Sequence, residues 1–214
     1  MEGGIIYLAR HGETHDSLEN RMGGDSGLTE RGIKQAENIA HILKDAPFHA
    51  IYCSPLRRAT HTAQIIHEKH PGIPLRRRPE LTEIDPGDMD GMLYDDFRKN
   101  FPELHDERRR DKYNWKFPCG ESYASATERA APIIEDLMQR MRGGGGPSLV
   151  VGHQGINRVI MGSLLELSEK TIPYITIPHD MAFMLDPQKK VMRISNGRIE
   201  QGYDINIGET VSDV

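Results

Sequence analysis

The stretch Ile5-Ile6-Tyr7-Leu8-Ala9-Arg10-His11-Gly12-Glu13 sets a short apolar run against a polar turn. The arrangement recurs at Ala50-Ile51-Tyr52-Cys53, followed by Ser54-Pro55-Leu56-Arg57-Arg58, and at Ser148-Leu149-Val150-Val151, followed by Gly152-His153-Gln154-Gly155. Short unalternating runs with β-branched residues suit strands buried on both faces, as in a sheet covered by helices. Between the runs, apolar residues recur at helical spacing. Ile33, Ala36, Ile39, Ala40 and Leu43 follow a Thr29 N-cap; Ala59, Ala63 and Ile66 follow Arg58; Ile156, Val159, Ile160, Leu164 and Leu167 follow His153. A longer helix is predicted over residues 123–141, kinked at Pro132, and two last strands near 181–185 and 191–195, with Asp186-Pro187 turning between them.

Strands alternating with helices predict an α/β fold, a three-layer α/β/α sandwich with a mostly parallel central sheet. Residues 80–123 break the alternation and read as an inserted helical subdomain lying over the site. The insert carries Arg98, Lys99, Arg108, Arg109, Arg110, Lys112 and Lys116, interleaved with Glu103, Asp106, Glu107 and Asp111, the pattern of a solvated helix face. The expected organisation is one domain over 1–205 and a disordered tail over 206–214.

Composition narrows the function classes. The chain has 214 residues, with 27 Lys and Arg against 32 Asp and Glu, a formal charge of −5 that argues against a globally basic nucleic-acid binder. No run reaches the roughly 18 apolar residues of a membrane span. The opening Met-Glu-Gly-Gly lacks the basic segment of a secretory signal, and Cys53 and Cys119 cannot form a disulfide framework, although one bridge between them stays open. The expected location is the cytoplasm. The glycine run 143–146 reads as a flexible loop and lacks the Lys-Ser/Thr of a phosphate cradle.

In open α/β sheets, ligands bind outside the carboxyl ends of the strands. Those ends present Arg10 and His11, then Arg57 and Arg58, then His153. Arginines converging with histidines favour an anion, and phosphate rewards the guanidinium fork. A histidine there can be a nucleophile, and a carboxylic acid must then protonate the leaving oxygen; Glu83, in a polar turn, is the candidate. The other eight histidines, His179 among them, read as surface or structural. Metal sites are not expected: His11 and His15 flank a glycine rather than share a helix, and Asp85, Asp88 and Asp90 before Gly91 lack the terminal Glu of a calcium loop. No cofactor is called for.

Arg10-His11-Gly12-Glu13-Thr14 resembles the signature of the histidine phosphatase, or phosphoglycerate-mutase-like, superfamily. Gly27-Leu28-Thr29-Glu30-Arg31-Gly32, Ser54-Pro55-Leu56-Arg57-Arg58-Ala59, Glu83 and Gly152-His153 extend the resemblance, in order, over roughly residues 4–200. Within the superfamily the chain is most similar to the bisphosphatase domain that hydrolyses fructose 2,6-bisphosphate, through the run 23–28, the Glu83–Gly87 turn, Asp111-Lys112-Tyr113, the run Pro118-Cys119-Gly120-Glu121-Ser122-Tyr123, and His153-Gln154 with Arg158. The resemblance implies a metal-independent phosphatase. His11 would be the phosphorylated nucleophile, Glu83 the proton donor, and Arg10, Arg58 and His153 the clamp on the phosphoryl group. Gly24, Tyr94, Arg108, Lys112, Tyr123, Gln154 and Arg158 would hold the rest of a sugar bisphosphate. Ser17 stands where the family usually has Asn, and Cys119 replaces a lysine. The rival readings are a mutase, a phosphatase for another small metabolite, and a non-catalytic phosphate-binding module. The expected partner is a small phosphorylated metabolite, not nucleic acid or a membrane, with a homodimer left open.

Overall fold

The computed structural model describes residues 4–195 and 198–206; the predicted tail beyond them lies outside the described residues. Seven strands form one sheet: β1 (Ile6–Arg10), β2 (Ala50–Cys53), β3 (Leu75–Arg77), β4 (Ser148–Gly152), β5 (Ala182–Leu185), β6 (Val191–Ser195) and β7 (Arg198–Gln201). Their order is β3-β2-β4-β1-β5-β6-β7. The sheet is parallel from β3 through β1 and antiparallel from β1 to β7.

Seven helices accompany it: α1 (His15–Leu18), α2 (Glu30–Ile42), α3 (Arg57–His67), α4 (Tyr94–Asn100), α5 (Pro102–Arg110), α6 (Tyr123–Gln139) and α7 (Gln154–Leu164). Alternating strand residues divide the core between two layers. Tyr7, Ala9, Ile51, Cys53, Leu149 and Val151 pack with Ile39 and Ala40 of α2, Leu43 just after it, and Ala63 and Ile66 of α3. Ile6, Leu8, Ala50, Tyr52 and Val150 pack with Ile133 and Leu137 of α6 and Val159 and Ile160 of α7. Each such aliphatic side chain contributes about 1.5–3 kcal/mol by leaving water, so strands apolar at every position are stable only with both faces covered.

Thr29 caps α2, its Oγ1 accepting from Gly32 N at 3.0 Å. Pro132 lies within α6, which runs unbroken past it to Gln139; its ring lies on an exposed stretch of the helix. The glycine run finishes α6 and turns the chain into β4, with Gly143 and Gly146 at positive φ. Cys53 and Cys119 are free thiols, one buried and one exposed.

Between β3 and α6, two 3₁₀ turns (Pro79–Leu81 and Gly87–Met89), α4 and α5 enclose a small core of Met22, Met89, Tyr94 and Phe97, with Trp115 and Phe117 against it. Main-chain hydrogen bonds fasten this segment to the loop after α1: Met22 N to Met92 O, Gly91 N to Met22 O and Tyr94 N to Asn20 O. The insert is thereby fixed beside the carboxyl ends of β1 and β4. Among the described residues no helix is long and apolar enough to cross a membrane.

Candidate active site

Sheet register creates the site. β1 and β4 pair in parallel from Ile6 with Ser148 to Arg10 with Gly152. That constant offset places His11 beside His153, and His11 N extends the ladder by one bond to Gly152 O at 3.0 Å. The two rings lie 5.0 Å apart. One strand further, β2 leads into α3, whose first turn carries Arg58. Leu56, the N-cap of α3, makes no side-chain cap; the Asp25 carboxylate accepts Arg57 N–H at 2.9 Å instead.

Arg58 joins the histidines. Its Nε–H is shared between His11 Nε2 at 3.2 Å and His153 Nδ1 at 3.1 Å, while Nη1 donates to Gly24 O at 2.6 Å. Because a guanidinium only donates, both imidazole nitrogens facing it carry lone pairs. His11 Nδ1, 2.8 Å from the Gly12 carbonyl, is then the donor. Both rings are neutral: burial, reinforced by the neighbouring cations, holds each well below the ordinary imidazole range. His11 thus presents a lone pair on Nε2, and His153 keeps its proton on Nε2.

Among the described residues, two of the buried nitrogens without a partner belong to this cluster, His153 Nε2 and Arg10 Nε. Burial lowers the Arg10 guanidinium to about 9, opposed by the Glu83 charge, and leaves it cationic at neutral pH. Arg58 is also lowered, first by burial and against the pull of Glu83. Orphaned N–H groups beside an unprotonated imidazole nitrogen at the start of α7 suit an anion with several oxygens.

Glu83 comes from the insert itself, in the turn between its two 3₁₀ turns. Its carboxylate accepts from Ile84 N at 2.9 Å, Ile156 N at 2.9 Å and Gly155 N at 3.0 Å, so it caps α7 from outside the helix. A Cβ on residue 155 would lie 2.8 Å from the carboxylate oxygen, so this approach needs the glycine. Arg129 braces the turn through the carbonyls of Glu80 and Thr82 and the Glu121 carboxylate. Gly12 and Gly32 face each other so closely that a Cβ on Gly12 would lie 2.1 Å from Gly32 O, which accounts for both motif glycines.

A cleft of about 510 Å³ is lined by Arg10, His11, Arg58, Glu83, Gln154 and Arg158, among others. A smaller hollow shares Gly23 and Glu83 with it and adds Arg108, Phe117 and Tyr123. Arg158 donates to Ile175 O at 2.7 Å and to Tyr123 Oη at 3.0 Å. Arg108 lies 5.9 Å from the Phe117 ring centre, and Lys112 Nζ lies 4.8 Å from that of Tyr174. Lys112 and Tyr94 line neither opening; Tyr94 belongs to the insert's core, with Oη 3.3 Å from His105 Nε2. Ser17 takes part in a capping box with Thr14 at the cleft wall.

Three contributors escape the sequence reading. Arg129 and Asn157, whose Nδ2 donates to Ala9 O at 2.9 Å, act on main-chain groups that no motif marks. His179, read as surface or structural, lines the cleft with its ring 5.3 Å from that of His11. It follows Ile177, whose carbonyl accepts from Arg10, but no strand-end pattern announces it.

The sequence profile of the histidine phosphatase superfamily (branch 1) matches residues 6–194. The chain belongs to this superfamily. It is 33% identical over 184 residues to a 6-phosphofructo-2-kinase/fructose-2,6-bisphosphatase from Aquarana catesbeiana, covering 85% of this chain and 37% of that protein. A protein of the same name from Caenorhabditis elegans is 35% identical over 185 residues, covering 86% and 39%. The chain therefore spans well under half the length of these relatives. Mycobacterial glucosyl-3-phosphoglycerate phosphatase superposes with a TM-score of 0.76 at 25% identity, covering 95% of this chain and 98% of that one. Alpha-ribazole phosphatase from Shigella flexneri does so with a TM-score of 0.75 at 23% identity, covering 95% and 96%. The two solved structures share the fold of this chain, while the substrates named for these proteins differ.

Proposed function

We propose that this histidine phosphatase hydrolyses a sugar bisphosphate of the fructose 2,6-bisphosphate type through a phosphohistidine, without a metal. The observation that carries the chemistry is the shared Arg58 Nε–H, which leaves His11 Nε2 a lone pair and His153 Nε2 a free N–H within one buried cluster.

As the phosphoryl group binds, Arg58 Nε–H turns from His11 Nε2 to a phosphoryl oxygen, and the freed lone pair attacks phosphorus as the bond to the sugar oxygen breaks, its electron pair staying on that oxygen. Arg58, Arg10 and His153 Nε2–H bind the equatorial oxygens, where charge develops. Glu83 supplies the proton to the leaving oxygen, which requires its carboxyl group to exchange one of its N–H partners for that proton. In the second half, water attacks phosphorus, its proton passes to Glu83, and the P–N bond breaks to restore the lone pair on His11. The products are the alcohol and inorganic phosphate. His11 Nδ1–H stays on the Gly12 carbonyl throughout and fixes the ring.

Support for a second anionic group on the substrate comes from Arg158, which lines the cleft, and Arg108, which lines the hollow beside it. A different small-metabolite phosphatase is the second reading, because glucosyl-3-phosphoglycerate phosphatase matches this chain along nearly its whole length. A panel of phosphorylated metabolites compared by kcat/KM, with fructose 2,6-bisphosphate, glucosyl-3-phosphoglycerate, 3-phosphoglycerate and an aryl phosphate, tests both. A rate on fructose 2,6-bisphosphate no better than on the aryl phosphate rejects the substrate assignment. Rapidly stopped reactions should yield an acid-labile phosphoenzyme, and His11→Ala should lose it along with at least about 10³-fold of turnover.

A further inference from the structure

We infer that His179 is a positioning residue for the nucleophile, holding the main-chain carbonyl of His11 and with it the peptide plane that aims the His11 ring. This rests on the phosphohistidine reading above and adds to it a residue from a segment that carries none of the family motifs.

The strand ladder explains why a side chain is needed here. β1 pairs with β5 only as far as Ala9 with Ala182. On its other edge the β1 ladder continues one residue further, His11 N donating to Gly152 O. The carbonyl of His11, a residue only 4% exposed, therefore lies beyond the last β5 partner. His179 Nδ1 takes that place, 2.6 Å from His11 O. A carbonyl accepts and never donates, so Nδ1 carries the proton. Burial, together with the positive charge of Arg10, holds the ring down to about 3, so the donor adds no charge to a site already holding two arginines.

The carbonyl of His11 and the N–H of Gly12 belong to one peptide plane. His179 holds the carbonyl end, and Thr62 Oγ1 holds the N–H end at 3.1 Å. The next plane carries Gly12 O, which accepts from His11 Nδ1, and Glu13 N, which donates to Gln35 Oε1 at 2.8 Å. The ring is thus tied to a carbonyl across a glycine, and that glycine's freedom is removed by pinning the plane before it and the plane after it. Releasing the first plane lets Gly12 O, and with it His11 Nε2, drift from the line of attack. A displacement near 1 Å in a reacting group costs on the order of 10²-fold in rate.

The test is rapid-quench measurement of phosphoenzyme formation with p-nitrophenyl phosphate, in the wild type, His179→Ala, His179→Asn and, as control, His11→Ala. His179→Ala should slow phosphoenzyme formation by roughly 10- to 100-fold and leave KM within about threefold. His179→Asn, whose Nδ2–H can occupy the place of Nδ1–H, should recover most of that loss. A purely structural role would instead lower Tm in both variants without separating them in rate. If His179→Ala does not fold, Thr62→Ala frees the other end of the same plane and should show the same fall in kcat with KM kept. Phosphoenzyme forming at the wild-type rate in His179→Ala, or in Thr62→Ala, overturns the inference; so does an asparagine variant as slow as the alanine one. Turnover of the wild type without any phosphoenzyme overturns the phosphohistidine reading itself, a distinct outcome.

Discussion

The cluster at the strand ends and the wall contributed by the insert are built in different ways. His11, His153 and Arg58 are placed by sheet register and a helix start, and Arg58 Nε lies within 3.2 Å of a nitrogen of each histidine. Arg108, Lys112 and Tyr123 sit where α5, the chain after it and α6 happen to fold, and two of their cations rest on aromatic faces at 5.9 and 4.8 Å. The first region cannot shift without breaking parallel strand pairing; the second can be reshaped by repacking a small satellite core of Met22, Met89, Tyr94 and Phe97. On the proposed function, the strand-end cluster supplies the nucleophile and the clamp, Glu83 is the insert's one contribution to the chemistry, and the rest of the insert selects among phosphorylated compounds.

The strongest test of that division removes Arg58. Arg58→Met should lower kcat by roughly 10²- to 10³-fold on every phosphomonoester alike, because the group acts on the transferring phosphoryl and on both imidazoles. Arg58→Lys should not restore it, since an ammonium cannot present one N–H to two rings from a planar fork. Unequal losses on a bisphosphate and an aryl phosphate would break the division. The wall should behave in the opposite way. Lys112→Met and Arg108→Met should each lower kcat/KM for fructose 2,6-bisphosphate by about 10- to 100-fold, the scale of a lost charge-assisted contact. Steady-state rates on p-nitrophenyl phosphate should stay within about threefold; an equal fall there would place these cations in the reaction site.

The same division explains what was legible in the sequence. A strand buried on both faces must be apolar at every position, so β1, β2 and β4 declare themselves, and each hands its next residues to the site. The spacing of His11 and His153 in sequence is the β1–β4 register itself. Short edge strands are harder: β3 begins at half-buried Leu75 and continues into two exposed arginines, and β7, at the opposite edge, is exposed throughout. Tyr94 shows the limit of motif transfer, since its hydroxyl meets His105 inside the insert's core and no periodicity reveals which way an aromatic of a satellite core faces. His179 and Arg129 were invisible for another reason. His179 donates to a main-chain carbonyl and Arg129 to those of Glu80 and Thr82, besides the Glu121 carboxylate; every residue possesses a carbonyl, so only the folded chain shows which of them these side chains reach.

The smallest expected effect concerns stability rather than rate, and it sets the cluster apart from the wall once more. Buried His11 and His153 and half-buried His179 are neutral, each held below the ordinary imidazole value of 6.5, His179 to about 3. In the unfolded chain they regain that value, so below it the unfolded state binds more protons than the folded one and stability falls as pH falls. The contribution is intact above about pH 7, begins to fade through 6.5, and for His179 continues to fade down to about 3. Between pH 7 and 6 each ring should cost roughly 0.5–1 kcal/mol. Denaturant melts of the wild type and of His153→Gln, recorded at both pH values, isolate one ring: the variant should lose less stability on acidification by about that amount. Lys112→Met carries no imidazole and should keep the wild-type pH slope. If His153→Gln keeps it as well, His153 takes up protons in the folded chain as readily as in the unfolded one, which is incompatible with a buried ring held neutral by accepting the Arg58 N–H.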